Sequence, residues 1–153
     1  VAAIAGFGAA CAAAAATWQS DAARMTELRD RLEAGIKTIT PQAVIFGQGA
    51  PRLPNTTLFA VPGFKAETAI IAFDLNGIAV SSGSACSSGK VQASHVLAAM
   101  GVEPELARGA LRVSLGWNTS DADVENLLNA LTKVSSSLLK RHENSRLNSG
   151  LAA

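Results

Sequence analysis

Leu111-Arg112-Val113-Ser114-Leu115 is the stretch on which the reading of the fold turns. Leu111, Val113 and Leu115 alternate with Arg112 and Ser114, and a period of two puts the apolar side chains on one face of a β-strand and the polar ones on the other. One face is greasy; the other carries a charge.

Downstream, Ser120 with Asp123 three residues later resembles a capping box. It starts a helix with Val124, Leu127, Leu128, Leu131, Val134 and Leu138 on one stripe, and from about Arg141 the polar, basic residues 141–153 read as a flexible tail. Upstream, Val91 to Met100 has a helical pattern closed by Gly101, and Gly77 to Val80 is a brief strand. Ala66 to Leu75 is a helix ended by Asn76-Gly77, and Asn55 to Val61 a strand closed by Pro62-Gly63. Ala43 to Phe46 is a short strand, followed by a turn-rich loop from Gly47 to Pro54. Residues 1 to about 38 form one long helix, amphipathic beyond Trp18, with Met25, Leu28, Leu32 and Ile36 at helical spacing. Glu27 to Arg31 and Arg29 to Glu33 have the four-apart spacing that allows ion pairs on it, and Pro41 forbids its continuation. This order specifies an α+β fold: a small, mainly antiparallel sheet with helices on one face, preceded by a long N-terminal helix.

The chain's 153 residues, 48% of them hydrophobic, suffice for one domain with a proper core. Thirteen Lys and Arg against 12 Asp and Glu leave a formal charge of +1, too weak a field to imply nucleic acid or an anionic membrane surface as partner. The two cysteines, Cys11 in an alanine run and Cys86 in a glycine–serine loop, lack the spacing of a disulfide framework, so a reducing, cytoplasmic setting is expected. Val1 to Thr17 carries no charge, but it has no basic flank, is mostly alanine and falls short of the about 20 strongly apolar residues of a membrane span. It reads instead as a helix buried between other elements. Because the chain opens on valine, a fragment or processed chain is expected, its first helix having packed against a domain no longer present.

Val80-Ser81-Ser82-Gly83-Ser84-Ala85-Cys86-Ser87-Ser88-Gly89-Lys90 puts one cysteine among small polar residues, after an apolar strand and ahead of a helix. Lys90 and the N-terminus of the following helix both favour thiolate over thiol, and so a nucleophile; the plainer alternative is a surface turn. A phosphate-binding loop is excluded, because Gly83 and Gly89 enclose five residues and Val91 stands where magnesium needs a hydroxyl. Arg112 either pairs with a buried carboxylate, points into a cleft where its fork suits a ligand carboxylate, or lies exposed at a sheet edge. His95 and His142 read as solvent-facing or packing residues, and no residue set has metal-ligand or Ser-His-Asp spacing.

The run Arg52-Leu53-Pro54-Asn55-Thr56, the block Val80 to Cys86, the helix Ser94-His95-Val96-Leu97 and the strand Leu111 to Gly116 resemble, in order and spacing, the C-terminal part of pyridoxal-phosphate-dependent cysteine desulfurases of the nitrogen-fixation and iron–sulfur-cluster type, in the class V aminotransferase family. The resemblance implies that residues 1–140 are the small C-terminal domain with an interdomain helix at 1–38. It implies that Cys86 is the catalytic cysteine that takes sulfur from L-cysteine as a persulfide, releasing L-alanine, and that Arg112 and Asn55 bind substrate. The implied partners are a sulfur-acceptor scaffold protein, the missing large cofactor-binding domain and a second subunit of a homodimer. Pyridoxal 5'-phosphate is implied for the full-length enzyme only. None of Lys37, Lys65, Lys90, Lys133 or Lys140 stands in the family's Schiff-base context, so the chain alone is expected neither to hold the cofactor nor to turn over cysteine. Selenocysteine lyase activity, and a sulfur-carrier module loaded on Cys86 by another enzyme, are the alternative readings.

Overall fold

The computed structural model describes the backbone of residues 1–82 and 94–150, and side chains up to Leu139. Cys86, Lys90 and the helical pattern Val91 to Ala93 therefore lie outside the described residues, as does the side chain of His142. The elements are α1 (Ala2–Ile39), β1 (Val44–Ile45), β2 (Thr56–Ala60), α2 (Ala66–Asp74), β3 (Ser81–Ser82), α3 (His95–Ala99), α4 (Pro104–Arg108), β4 (Leu111–Ser114) and α5 (Asp121–Gly150). The strands form one sheet in the order β1-β2-β4-β3, with every neighbouring pair antiparallel.

The alternation read from β4 is the observed one: Leu111 and Val113 are buried, Arg112 and Ser114 exposed. Leu111, Val113 and, from β2, Phe59 join one apolar cluster with Leu28, Leu32 and Ile36 of α1, Ala69 and Phe73 of α2, and Val124, Leu127, Leu131 and Val134 of α5. Helices α1, α2 and α5 thus cover a single face, and burial of these side chains is the main force holding the layers together. Gly35 lets α1 and α5 approach closely, since a Cβ there would come within 2.5 Å of Leu128 Cδ1. A smaller cluster of Phe46, Ala60, Leu97, Ala107 and Ala110 seats α3 and α4 against the other side of β2.

The capping box is present. Ser120 N–H donates to Asp123 Oδ2 at 2.8 Å and the Asp123 N–H donates to Ser120 Oγ at 3.3 Å, which satisfies donors at the start of α5.

Several expectations are corrected. The third strand lies at Ser81–Ser82, not Gly77–Val80, because its position is set by pairing with Arg112 and Leu111 across the sheet. Helix α4, opened by Pro104 in its first turn, has no counterpart in the sequence reading. The backbone of α5 stays helical to Gly150, nine residues past the expected start of the tail at Arg141, since no proline or glycine interrupts that run. The first twenty residues are all exposed rather than buried, because no described element passes over them and alanine alone sustains a helix. By length and composition α1 is long and apolar enough to cross a membrane. A groove of about 540 Å³ runs between its alanine face and Trp117, an exposed residue like Trp18. Arg24 pins this corner, its guanidinium donating to the carbonyls of Thr119 and Trp117.

Candidate functional site

Arg112 sits on an inner strand, with Leu58 opposite on β2 and Ser81 opposite on β3. It is therefore not a sheet-edge arginine. Its parity sends the side chain away from the three-helix core, and among the described residues it has neither a hydrogen-bond nor an ion-pair partner. A guanidinium held on rigid backbone with its fork unspent is suited to a bidentate grip on an incoming carboxylate. On the other side of β4, β3 places Ser81 opposite Arg112 and Ser82 opposite Leu111.

Asn55 precedes β2 and is half-buried; its carbonyl accepts the Leu115 N–H at 2.8 Å, and its Oδ1 accepts from Thr56 Oγ1 at 3.4 Å. Along β2 it stands three residues from Leu58, the partner of Arg112. The sheet thus puts Arg112 on β4 and Asn55 just ahead of the adjoining β2, with no hydrogen bond between them.

The sequence reading missed a network beside Asn55. Glu33, only 5% exposed, receives Arg52 Nη1 and Nη2 on its two carboxylate oxygens at 2.8 Å each, and Thr57 Oγ1 donates to Oε1 at 2.8 Å. The hydrogen bond to Glu33 raises the Arg52 guanidinium above its ordinary value, opposed by a smaller effect of burial. Glu33 therefore does not serve Arg29, which binds Asp30 at 2.7 Å and the Leu53 carbonyl at 3.2 Å. Nor does Arg31 serve Glu27; it reaches across to Asp121 and Glu125 of α5. The four-apart spacing is real, but Glu33 and Arg31 are taken by partners far along the chain, and Arg29 by its neighbour Asp30 and the Leu53 carbonyl. The usable signal for Arg52 was its place between two prolines, where a charged side chain on a tight loop must fold back onto something.

His95 is exposed at the first residue of α3, and among the described residues no group of acidic, histidine or cysteine side chains could hold a metal ion. Cys11 is exposed and free.

A family model described as aminotransferase class-V matches residues 1–127. The chain belongs to that family. A cysteine desulfurase of Enterobacter agglomerans is 39% identical over 125 residues, which is 82% of this chain and 31% of that relative. Cysteine desulfurase IscS 1 of Archaeoglobus fulgidus is 39% identical over 134 residues, 88% of this chain and 35% of the relative. The X-ray structure of a NifS-like protein from Rickettsia africae superposes with a TM-score of 0.77 at 34% identity, over 87% of this chain and 34% of that one. The chain spans about a third of the length of the curated relatives it matches. The α+β fold expected from the sequence is the observed one, and it is that of NifS-like proteins.

The class-V family uses pyridoxal phosphate, and the described residues of this chain do not fit it. A Schiff-base lysine needs an enclosed amine free to react. The Lys37 ammonium donates to the Ala43 carbonyl, while Lys65 and Lys133 are exposed on the surface.

Proposed function

We propose that this chain is the C-terminal part of a cysteine desulfurase, contributing Arg112 and Asn55 to substrate binding and Cys86 as the sulfur acceptor. The supporting observation is Arg112, a guanidinium on an inner strand opposite Ser81 of β3, with no hydrogen-bond or ion-pair partner among the described residues. Arg112 orients the carboxylate of L-cysteine. The Cys86 thiolate attacks the substrate sulfur, the bond from that sulfur to Cβ breaks as the new S–S bond forms, and its electron pair takes up a proton at Cβ. L-alanine leaves and a persulfide stays on Cys86 for delivery to a sulfur-accepting scaffold. Pyridoxal phosphate belongs to the remainder of the enzyme in this reading, which describes a cytoplasmic homodimer.

The test is alanine release and persulfide formation by the intact enzyme. Cys86→Ser abolishes persulfide at position 86, and Arg112→Ala raises KM for L-cysteine by about tenfold or more, the cost of a charge-assisted pair. Normal sulfide release from the Cys86→Ser enzyme refutes the reading. Selenocysteine as the better substrate in the same assay replaces desulfurase with selenocysteine lyase.

The lack of a fitting lysine among the described residues favours one second reading, a sulfur carrier loaded on Cys86 by a separate desulfurase. Transfer of labelled sulfur from an added desulfurase to this chain, with no alanine released by the chain itself, is its signature.

A further inference from the structure

Among the described residues Arg112 has no side-chain partner to aim it, so what these residues supply to its direction is the position of the β4 backbone. That backbone hangs on β2, where Leu58 stands opposite Arg112. Thr57, one residue earlier, points to the opposite face and spends its hydroxyl on Glu33 of α1. Five residues before Thr57, Arg52 closes both oxygens of the same carboxylate. The run from Arg52 to Thr57 is thus tied at both ends to one buried group on the long helix, and Arg29 adds a third tie at the Leu53 carbonyl.

Apolar contact between β2 and α1 is non-directional and tolerates sliding, whereas hydrogen bonds lose strength quickly with distance and angle. A buried ion pair in this place adds little net stability over a well-packed apolar pair, so its physical value is in fixing one arrangement. We propose that Glu33, Arg52 and Thr57 are positioning residues for Arg112: they lock β2 along α1, and the β2–β4 register carries that lock through the pleat to the guanidinium on the other face. The inference rests on Arg112 being the substrate-carboxylate binder.

The experiment uses the intact enzyme with Thr57→Val, which keeps the branched shape and removes one hydrogen bond, and with Glu33→Gln. Both raise KM for L-cysteine by about threefold to tenfold while kcat changes by less than about twofold, the signature of lost binding alone. In an Arg112→Ala background the same substitutions leave KM where Arg112→Ala alone puts it, because coupled residues are not additive. Amide hydrogen exchange at Arg112 and Ser114 speeds up in the Thr57→Val chain, a readout independent of turnover. An unchanged KM with a lowered melting temperature makes the network purely structural and overturns the inference, as do KM effects that add fully to Arg112→Ala. If Glu33→Gln does not fold, Thr57→Val decides alone. If Arg112→Ala itself leaves KM unchanged, the carboxylate role of Arg112 falls, a failure distinct from that of the network.

Discussion

Gly109 ends α4 and stands two residues before β4, so its replacement tests how tightly the strand bearing Arg112 is seated. Its backbone, at φ −88° and ψ 1°, is open to any residue, and alanine there would ordinarily stabilise by about 0.4–1 kcal/mol through the unfolded chain. A Cβ at this position, however, would meet the Phe64 carbonyl oxygen at 2.6 Å, and a backbone oxygen cannot swing aside as the tip of a side chain does. Overpacking of this kind costs about 1–3 kcal/mol. The clash wins, and Gly109→Ala is expected to lose about 1 kcal/mol, which lowers the melting temperature by about 2–4 °C for a domain of this size. Thermal unfolding followed by circular dichroism measures it, with Gly49→Ala as the control because nothing lies within 4 Å of a Cβ there. A melting temperature for Gly109→Ala equal to or above the parent's would show that β4 and the Phe64 turn separate freely, and the seating argument would be wrong.

The Asp123 carboxyl is held below its ordinary 3.8, first by the Ser120 backbone N–H and then by its hydroxyl. A depressed carboxylate stabilises fully above its unfolded value, and that contribution disappears as pH falls through the folded one. Asp123→Asn should therefore melt below the parent at neutral pH, with the gap closing under acid below 3.8; a gap constant with pH refutes the assignment. Arg52→Met strands the Glu33 carboxylate with one hydroxyl for company and should cost about 3–5 kcal/mol in urea unfolding, whereas Arg52→Met with Glu33→Leu recovers most of it. Equal losses in the single and double variants would mean that the packing of the Arg52 stem, not its charge, is what matters.

Periodic features were legible because the signal and its physical cause are both local. The alternation of Leu111 to Leu115, the stripe from Val124 to Leu138 and the Ser120–Asp123 cap each depend on neighbours within a few residues. What escaped depends on partners far along the chain. Ser81 and Ser82 are weak strand formers that join the sheet only because β4 offers them an edge. Glu33, spaced for a partner on its own helix, is claimed by Arg52 and Thr57, 19 and 24 residues away. At the candidate site the same division holds. The unusual charge of Arg112 within an apolar alternation was visible at once, but its inner-strand position and the network behind β2 required the register. The alanine run shows the converse: composition alone said that it should be covered, and composition carries no information on what lies beside it.

The pinned corner at Arg24 gives the molecule its own optical reporter. The chain has two tryptophans and no tyrosine, so its near-ultraviolet emission comes from Trp18 and Trp117. Both indoles face water at the margins of the uncovered alanine helix, one on that helix and the other across the groove from it. Anything that dries this surface shifts the emission to shorter wavelength, while events confined to the three-helix core leave it unchanged. A plain fluorescence titration therefore reads the state of one face of this protein without a label.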